Sequence, residues 1–244
     1  MNIIKTLTAA ALLTASSASF AGIVNVDGVI WNTDQVFALP SLVDFESHGG
    51  ILETALTSFT PGQAITGSGQ MDRINSAIGN DASFCPGCEL TYTFSMTLVT
   101  ATLTDFTFSG LVTTWYVDHA SDAGFSAYDG TFASASNGNI FLTMVGNGNL
   151  IGTGTNIGTG SDTGTGSALL DVTGGLAKKY FDTNTKLNGS DIVFSSSFQP
   201  ISGTNLLSGT IDYSGNTVSV PEPASLALLG LGLTALGFGK RRKA

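Results

Sequence analysis

Leu90, Tyr92, Phe94, Met96 and Leu98 alternate with Thr91, Thr93, Ser95 and Thr97. That period of two suits a half-buried β-strand and no helix, so the apolar side chains are placed inward and the hydroxyls outward. Phe106 and Phe108 start a second run and Trp115–Val117 a third, with Ser109-Gly110 as punctuation between them. Ile192/Phe194/Phe198 and Leu207/Ile211/Tyr213 repeat the alternation far downstream. Near the other end, Ile23–Trp31 and Ile51–Phe59 read as short strands, with Gly28 at a turn or bulge in the first. Leu169, Leu170 and Val172 form another strand before the Gly174-Gly175 turn. Strands at this density with no helix between them predict an all-β fold, an antiparallel β-sandwich with Gly-rich loops.

Between these runs, 146–166 is a low-complexity stretch of Gly, Asn, Thr and Ser and reads as a flexible solvated loop. It resembles calcium-binding nonapeptide repeats superficially, but those need a regular aspartate and only Asp162 is present. It contains no phosphate-cradling pattern either.

Composition agrees with a turn-rich exported protein: charged residues are 11% of 244 and glycine supplies 31 positions. Between the two termini the only cations are Arg73, Lys178, Lys179 and Lys186, against seventeen acids, a net charge near −13. Such a surface repels phosphate backbones, so no nucleic acid is expected as a partner.

The termini carry the addresses. Met1–Ala21 has Lys5, a short apolar segment from Leu7 to Leu13 and the small-residue end Ser19-Phe20-Ala21. It reads as a helical secretory signal peptide cut between Ala21 and Gly22. At the other end Val220-Pro221-Glu222-Pro223 precedes sixteen uncharged residues, Ala224–Gly239, and then Lys240-Arg241-Arg242-Lys243. The prolines end whatever precedes them. The apolar stretch spans roughly 24 Å as a helix and reads as a transmembrane segment whose end the four cations hold on the cytoplasmic side. The domain expected between these signals is 22–219, with 220–244 as the tail.

Box, apolar span and basic cluster in that order resemble the PEP-CTERM sorting signal of Gram-negative bacteria. The resemblance implies an integral-membrane exosortase as partner, cleavage near the Pro-Glu-Pro box, transient residence in the inner membrane, and delivery to the cell surface or extracellular matrix. A second resemblance, over Tyr180–Thr185 and Asp191–Phe198, is to exported PEP-CTERM proteins that include some linked to flocculation.

Cys85-Pro86-Gly87-Cys88 holds both cysteines of the chain. A structural zinc site needs about four ligands brought together, and here the two histidines are distant from the cysteine pair; a Pro-Gly turn leading into a strand is no redox-motif context. In an oxidising compartment a local disulfide is expected. Asp44, Glu46 and His48 would share one face of a strand and so could in principle hold a metal, but a solvated loop explains the same residues and is the favoured reading, since no second histidine is near. His119, between Asp118 and Asp122 and after Trp115 and Tyr116, is the most enzyme-like neighbourhood, and it also fits a sugar-binding platform or a bland strand end. No nucleophile elbow, zinc-protease motif or nucleotide motif occurs.

These observations predict a non-enzymatic exported protein, without catalytic or metal-ligating residues, that serves exopolysaccharide-associated adhesion, flocculation or biofilm structure. The alternative is a secreted carbohydrate-binding or carbohydrate-active protein, since two facing carboxylates roughly 5–9.5 Å apart would suffice for glycoside hydrolysis. No cofactor is expected, with calcium the one cation that an acidic surface would attract, as a bridge between neighbouring molecules.

Overall fold

A computed structural model describes residues 22–37, 42–75 and 84–218. Ile23–Val218 form one unit, and the other unit, 1–22 with 219–244, lies outside the described residues apart from Gly22. The expected signal helix and transmembrane helix fall there. Among the described residues no helix is long and apolar enough to cross a membrane.

The Ile23–Val218 unit opens with a hairpin, β1 (Ile23–Val26) and β2 (Val29–Asn32). Its turn is Asp27-Gly28, with φ of 49° and 86°, the left-handed pair that two-residue hairpins require. Then follow β3 (Phe45–Thr54), β4 (Ala64–Ile74), β5 (Cys88–Ala101), β6 (Asp105–His119), β7 (Asn139–Gly146), β8 (Leu150–Thr155) and β9 (Thr163–Gly174). A single helical turn α1 (Lys178–Phe181), β10 (Ile192–Pro200) and β11 (Leu206–Gly215) complete the unit.

The alternation predicts a sandwich, and the sheet instead closes on itself as an eight-strand antiparallel barrel. Around the ring the order is β10-β11-β3-β4-β5-β6-β7-β9, and β9 returns to pair with β10 from Ile192↔Leu170 to Phe198↔Gly164. Strand β8 takes the place of β7 at one end, pairing with the start of β6 and the start of β9. A barrel and a sandwich share the same inward and outward parity, so the pattern of residues cannot separate them; closure depends on which distant strands meet. Small residues permit the tight curl. A Cβ at Gly67 would fall on the Phe94 ring, and one at Gly69 on the Gly50 carbonyl and the Tyr92 ring.

Eight strands leave an interior just wide enough for side chains to fill. Here the filling is aromatic: Trp115 and Tyr213 meet edge-to-face at 4.9 Å, and Phe194 and Tyr213 lie 5.2 Å apart. The end of the barrel near Phe45 and Trp115 is closed by the hairpin. Trp31, 3% exposed, inserts against Phe181 at 5.3 Å, Tyr180 at 5.5 Å and Phe141 at 6.3 Å. Burying such a ring contributes roughly 1.5–3 kcal/mol or more, which helps to fix a hairpin that shares no ladder with the barrel.

Three further expectations are corrected. The runs at Phe106–Phe108 and Trp115–Val117 belong to one strand, β6. Gly110, at φ 64°, inserts an extra residue there, and the inward positions shift from Phe106 and Phe108 to Leu111, Thr113, Trp115 and Val117. The hydroxyl face of β5 is not open to solvent throughout. Thr91 is fully buried and donates its hydroxyl to the Ala135 carbonyl at 2.8 Å, beneath the segment that crosses the outer wall after β6. Most of 146–166 is strand, since β8 and the start of β9 pair directly across it; only 147–149 and 156–162 lie between strands, and the longer of the two is anchored by buried Ile157 and Asp162.

Candidate functional sites at the two ends of the barrel

At the β8 end of the barrel, strand β3 points Phe45, Ser47, Gly49, Ile51 and Glu53 inward. Glu53 is therefore a carboxyl group on the apolar wall. It is 6% exposed and faces a cavity of ≈ 30 Å³ whose other walls include Ile65, Phe94, Phe106, Leu150 and Phe198. Burial pushes its pKa up to about 8, with Asp162 adding a like charge nearby. The group is thus a neutral acid at pH 7.

Asp162 belongs to the loop that covers this end. Its Oδ2 accepts the Leu56 N–H at 3.0 Å and its Oδ1 the Thr159 N–H at 3.2 Å. Burial raises its pKa, and these bonds with the Gly158 and Gly160 amides pull the other way. Gly160 N–H returns a bond to the Leu56 carbonyl at 3.0 Å, and Ile157, 1% exposed, plugs the opening. Sequence reading missed Glu53. Its position in the Ile51–Phe59 run, two residues after an inward Ile51, is the signal that could have found it.

Glu53 and Asp162 both line this cavity, whose size does not suit a sugar ring. Ligand pockets are about 300–1,000 Å³, and this cavity is an order of magnitude smaller, with room for about one water molecule. Nor does Asp162 suit a cation, because the groups around its oxygens are N–H donors.

At the opposite end, His119 closes β6. Its Nε2 lies 3.2 Å from Asp27 Oδ1, and Asn139 donates to the other Asp27 oxygen at 3.2 Å. Cys88 stands opposite His119 in the ladder, so cysteine, histidine and aspartate do converge as in a nucleophilic site. The sulfur is already committed, however: Cys85 and Cys88 form a disulfide, both buried. The predicted neighbours of His119 separate. Asp118 accepts the His119 backbone N–H, Asp122 starts the next turn, and Trp115 lies inside the barrel, unable to act as a sugar platform. Beside this cluster is an open cleft of ≈ 640 Å³, lined by Asn25, Asp27, Asn139, Ile140, Lys179 and Tyr180.

Asp44, Glu46 and His48 do not converge. Asp44 Oδ1 accepts the Thr217 N–H and hydroxyl at 2.7 and 2.9 Å, and His48 Nδ1 lies 2.8 Å from Asp72. Among the described residues no three His, Cys, Asp or Glu side chains form a metal cluster.

Ala21 and the tail residues Val220, Pro221, Glu222, Pro223, Lys240, Arg241, Arg242 and Lys243 lie outside the described residues. No curated protein and no solved structure matches the chain. Residues 219–243 match the model of the PEP-CTERM protein-sorting motif, so this chain carries at its C-terminus the signal of exported, exosortase-sorted proteins.

Proposed function

We propose that the protein acts at the cell surface or in the extracellular matrix, where it serves exopolysaccharide-associated adhesion, flocculation or biofilm structure without catalysis. One observation carries this reading: the sorting motif follows a barrel whose interior is filled by its own side chains. The outer surface is then the face that meets the matrix. That surface is acidic and rich in threonine and serine, suited to many weak contacts with polysaccharide hydroxyls and to bridging by divalent cations. Strength then comes from multivalency on a crowded surface.

The test is a deletion strain compared with its parent for growth, aggregation and retention of matrix. The reading expects normal growth with weaker aggregates, and aggregates of the parent that loosen more on chelation of divalent cations. Unchanged aggregation and matrix retention would remove it.

The open cleft favours a second reading, a defined carbohydrate-binding site. Its volume lies within the range of ligand sites, and Asn25, Asp27, Asn139 and the Tyr180 ring are side chains that bind and stack on sugars. Affinity electrophoresis in gels containing the extracted matrix polymer separates the two readings. A single cleft site predicts that Asn139→Ala with Tyr180→Ala abolishes retardation; a distributed surface predicts little change.

A further inference from the structure

The cover over the β8 end of the barrel and the acid beneath it form one device. The cover consists of residues 156–162 with 55–59, and few bonds hold the former down: Leu56 N–H to Asp162, Gly160 N–H to Leu56 and Ile157 N–H to the Leu103 carbonyl at 3.2 Å. The Phe59 ring lies against Gly158, where a Cβ would approach it to 2.7 Å. Directly below, the Glu53 carboxyl makes no hydrogen bond to another described residue, although the residue is more than nine-tenths buried.

We propose that segment 156–162 is a lid over an apolar site inside the barrel mouth, latched by Asp162 while Glu53 carries its proton and released when Glu53 loses it.

The groups that face Glu53 explain why ionisation would strain the closed mouth. The loop brings Asp162, and strand β5 brings the Tyr92 phenol, whose own pKa is raised chiefly by burial. Its two neighbours in the sheet, β4 and β11, turn Ile65, Gly67 and Leu207 inward there, while Asp72 and Asp212 are exposed. The walls contributed by β6, β8 and β10 are Phe106, Phe108, Leu150, Phe194 and Phe198. Among the described residues no cation faces the group, and a cavity of ≈ 30 Å³ is too small to hydrate a carboxylate fully.

An ionised Glu53 must therefore reach water, and the weakest barrier to water decides the route. Strand β3 is held by ladders on both edges, to β11 and to β4. The loop has only the bonds just named, so it opens first, as a local rather than a global event. Lifting Ile157 then exposes the ring of Phe and Leu side chains. The ligand class that fits is a neutral apolar molecule.

The experiment follows amide hydrogen exchange in the exported domain, 22–218, from pH 5 to 9, corrected for the intrinsic pH dependence of exchange. Linkage predicts that protection at 157–160 falls by up to about tenfold per pH unit and levels near the pH at which Glu53 ionises in the closed form. Protection in the centre of β5 should stay constant over the same range. In parallel, N-phenylnaphthylamine, a neutral fluorophore that brightens in apolar surroundings, should bind at pH 8.5 and not at pH 5.5. Glu53→Gln and Glu53→Met should both flatten the two profiles, and having both variants guards against one that folds poorly. A loop whose protection does not change with pH, or one that changes equally in both variants, overturns the proposal. So does simultaneous loss of protection in β5.

Discussion

The hydroxyls of Tyr213 and Thr113 meet at 3.1 Å across the width of the barrel. Tyr213 is on β11 and Thr113 on β6, which stand opposite one another in the eight-strand ring. Both are buried, and the bond ties two walls that share no ladder. Tyr213→Phe leaves the Thr113 hydroxyl buried without this partner and should cost about 1–3 kcal/mol, whereas adding Thr113→Val should recover much of the loss. Urea denaturation of the two single variants and the double variant measures the difference; strictly additive losses would show that the bond is not coupled.

The same tyrosine makes the fold sensitive to alkali. Burial pushes its pKa up to about 12 from an ordinary value near 10, with the Thr113 bond opposing. The unfolded chain loses this proton first. Its stabilising contribution is full below about pH 10 and is lost as pH rises toward 12, at about 1.4 kcal/mol per pH unit. Tyr213→Phe should therefore show a shallower fall in unfolding free energy over that window, as read from denaturation curves at pH 9.5 and 11.

Glu53 produces a comparable slope in a more accessible range. Its pKa is raised from 4.5 to about 8 by burial and by Asp162, so unfolding releases a proton anywhere between these values. Stability should decline as pH rises from about 4.5 to 8 and change no further through this group above that. Glu53→Met removes the titrating group and places an apolar side chain against Phe94 and Phe106. The variant should be more stable than the parent at pH 8 by a few kcal/mol, with the gap closing toward pH 4.5. Equal midpoints at both pH values would show that Glu53 is hydrated in the folded protein.

Alternation along β5, β10 and β11 was legible because apolar inward residues alternate with polar outward ones, even over 88–94 of β5 where both faces are buried, and that periodicity survives in any sheet architecture. Closure was not legible. It rests on pairings such as Tyr213↔Ser47 and Phe198↔Gly164, which join residues far apart in sequence without any local signature. Gly110 illustrates a related limit: a glycine between two apolar runs reads as a turn, and only the partner strand shows that it is a bulge. For the sites, Cys85 and Cys88 could be read directly because their partnership is local. Asp27 and His119 could not, being 92 positions apart and brought together by a hairpin that plugs the barrel. Glu53 looked like one acid among many until the wall around it was known.

The Cys85–Cys88 bond closes a loop with a sequence separation of only 3. A loop of about fifteen residues would contribute roughly 3 kcal/mol, and the contribution falls with loop size. Replacing both cysteines with serine should leave the barrel folded, with a loss of about 1–3 kcal/mol that includes burial of two hydroxyls. Circular dichroism with urea denaturation provides the check. Complete unfolding of the double variant would mean that the clasp, and not the β5–β6 ladder, organises this end of the barrel.

The sorting motif makes the last prediction. Residues 219–243 match it, and the folded unit ends at Val218, whose N–H bonds to the Tyr180 carbonyl at 2.7 Å. A protease acting near Pro221–Pro223 would therefore meet its target only a few residues beyond the last backbone bond that ties the chain to α1, and the barrel would survive the cut with its ladders intact. Intact-mass measurement on protein extracted from the cell surface should show a C-terminus near the Pro-Glu-Pro box and an N-terminus near Gly22. In cells lacking the exosortase the mass should include the whole tail, and the protein should stay with the membrane fraction. Recovering Lys240–Lys243 in the extracellular protein of normal cells would show that this tail is retained.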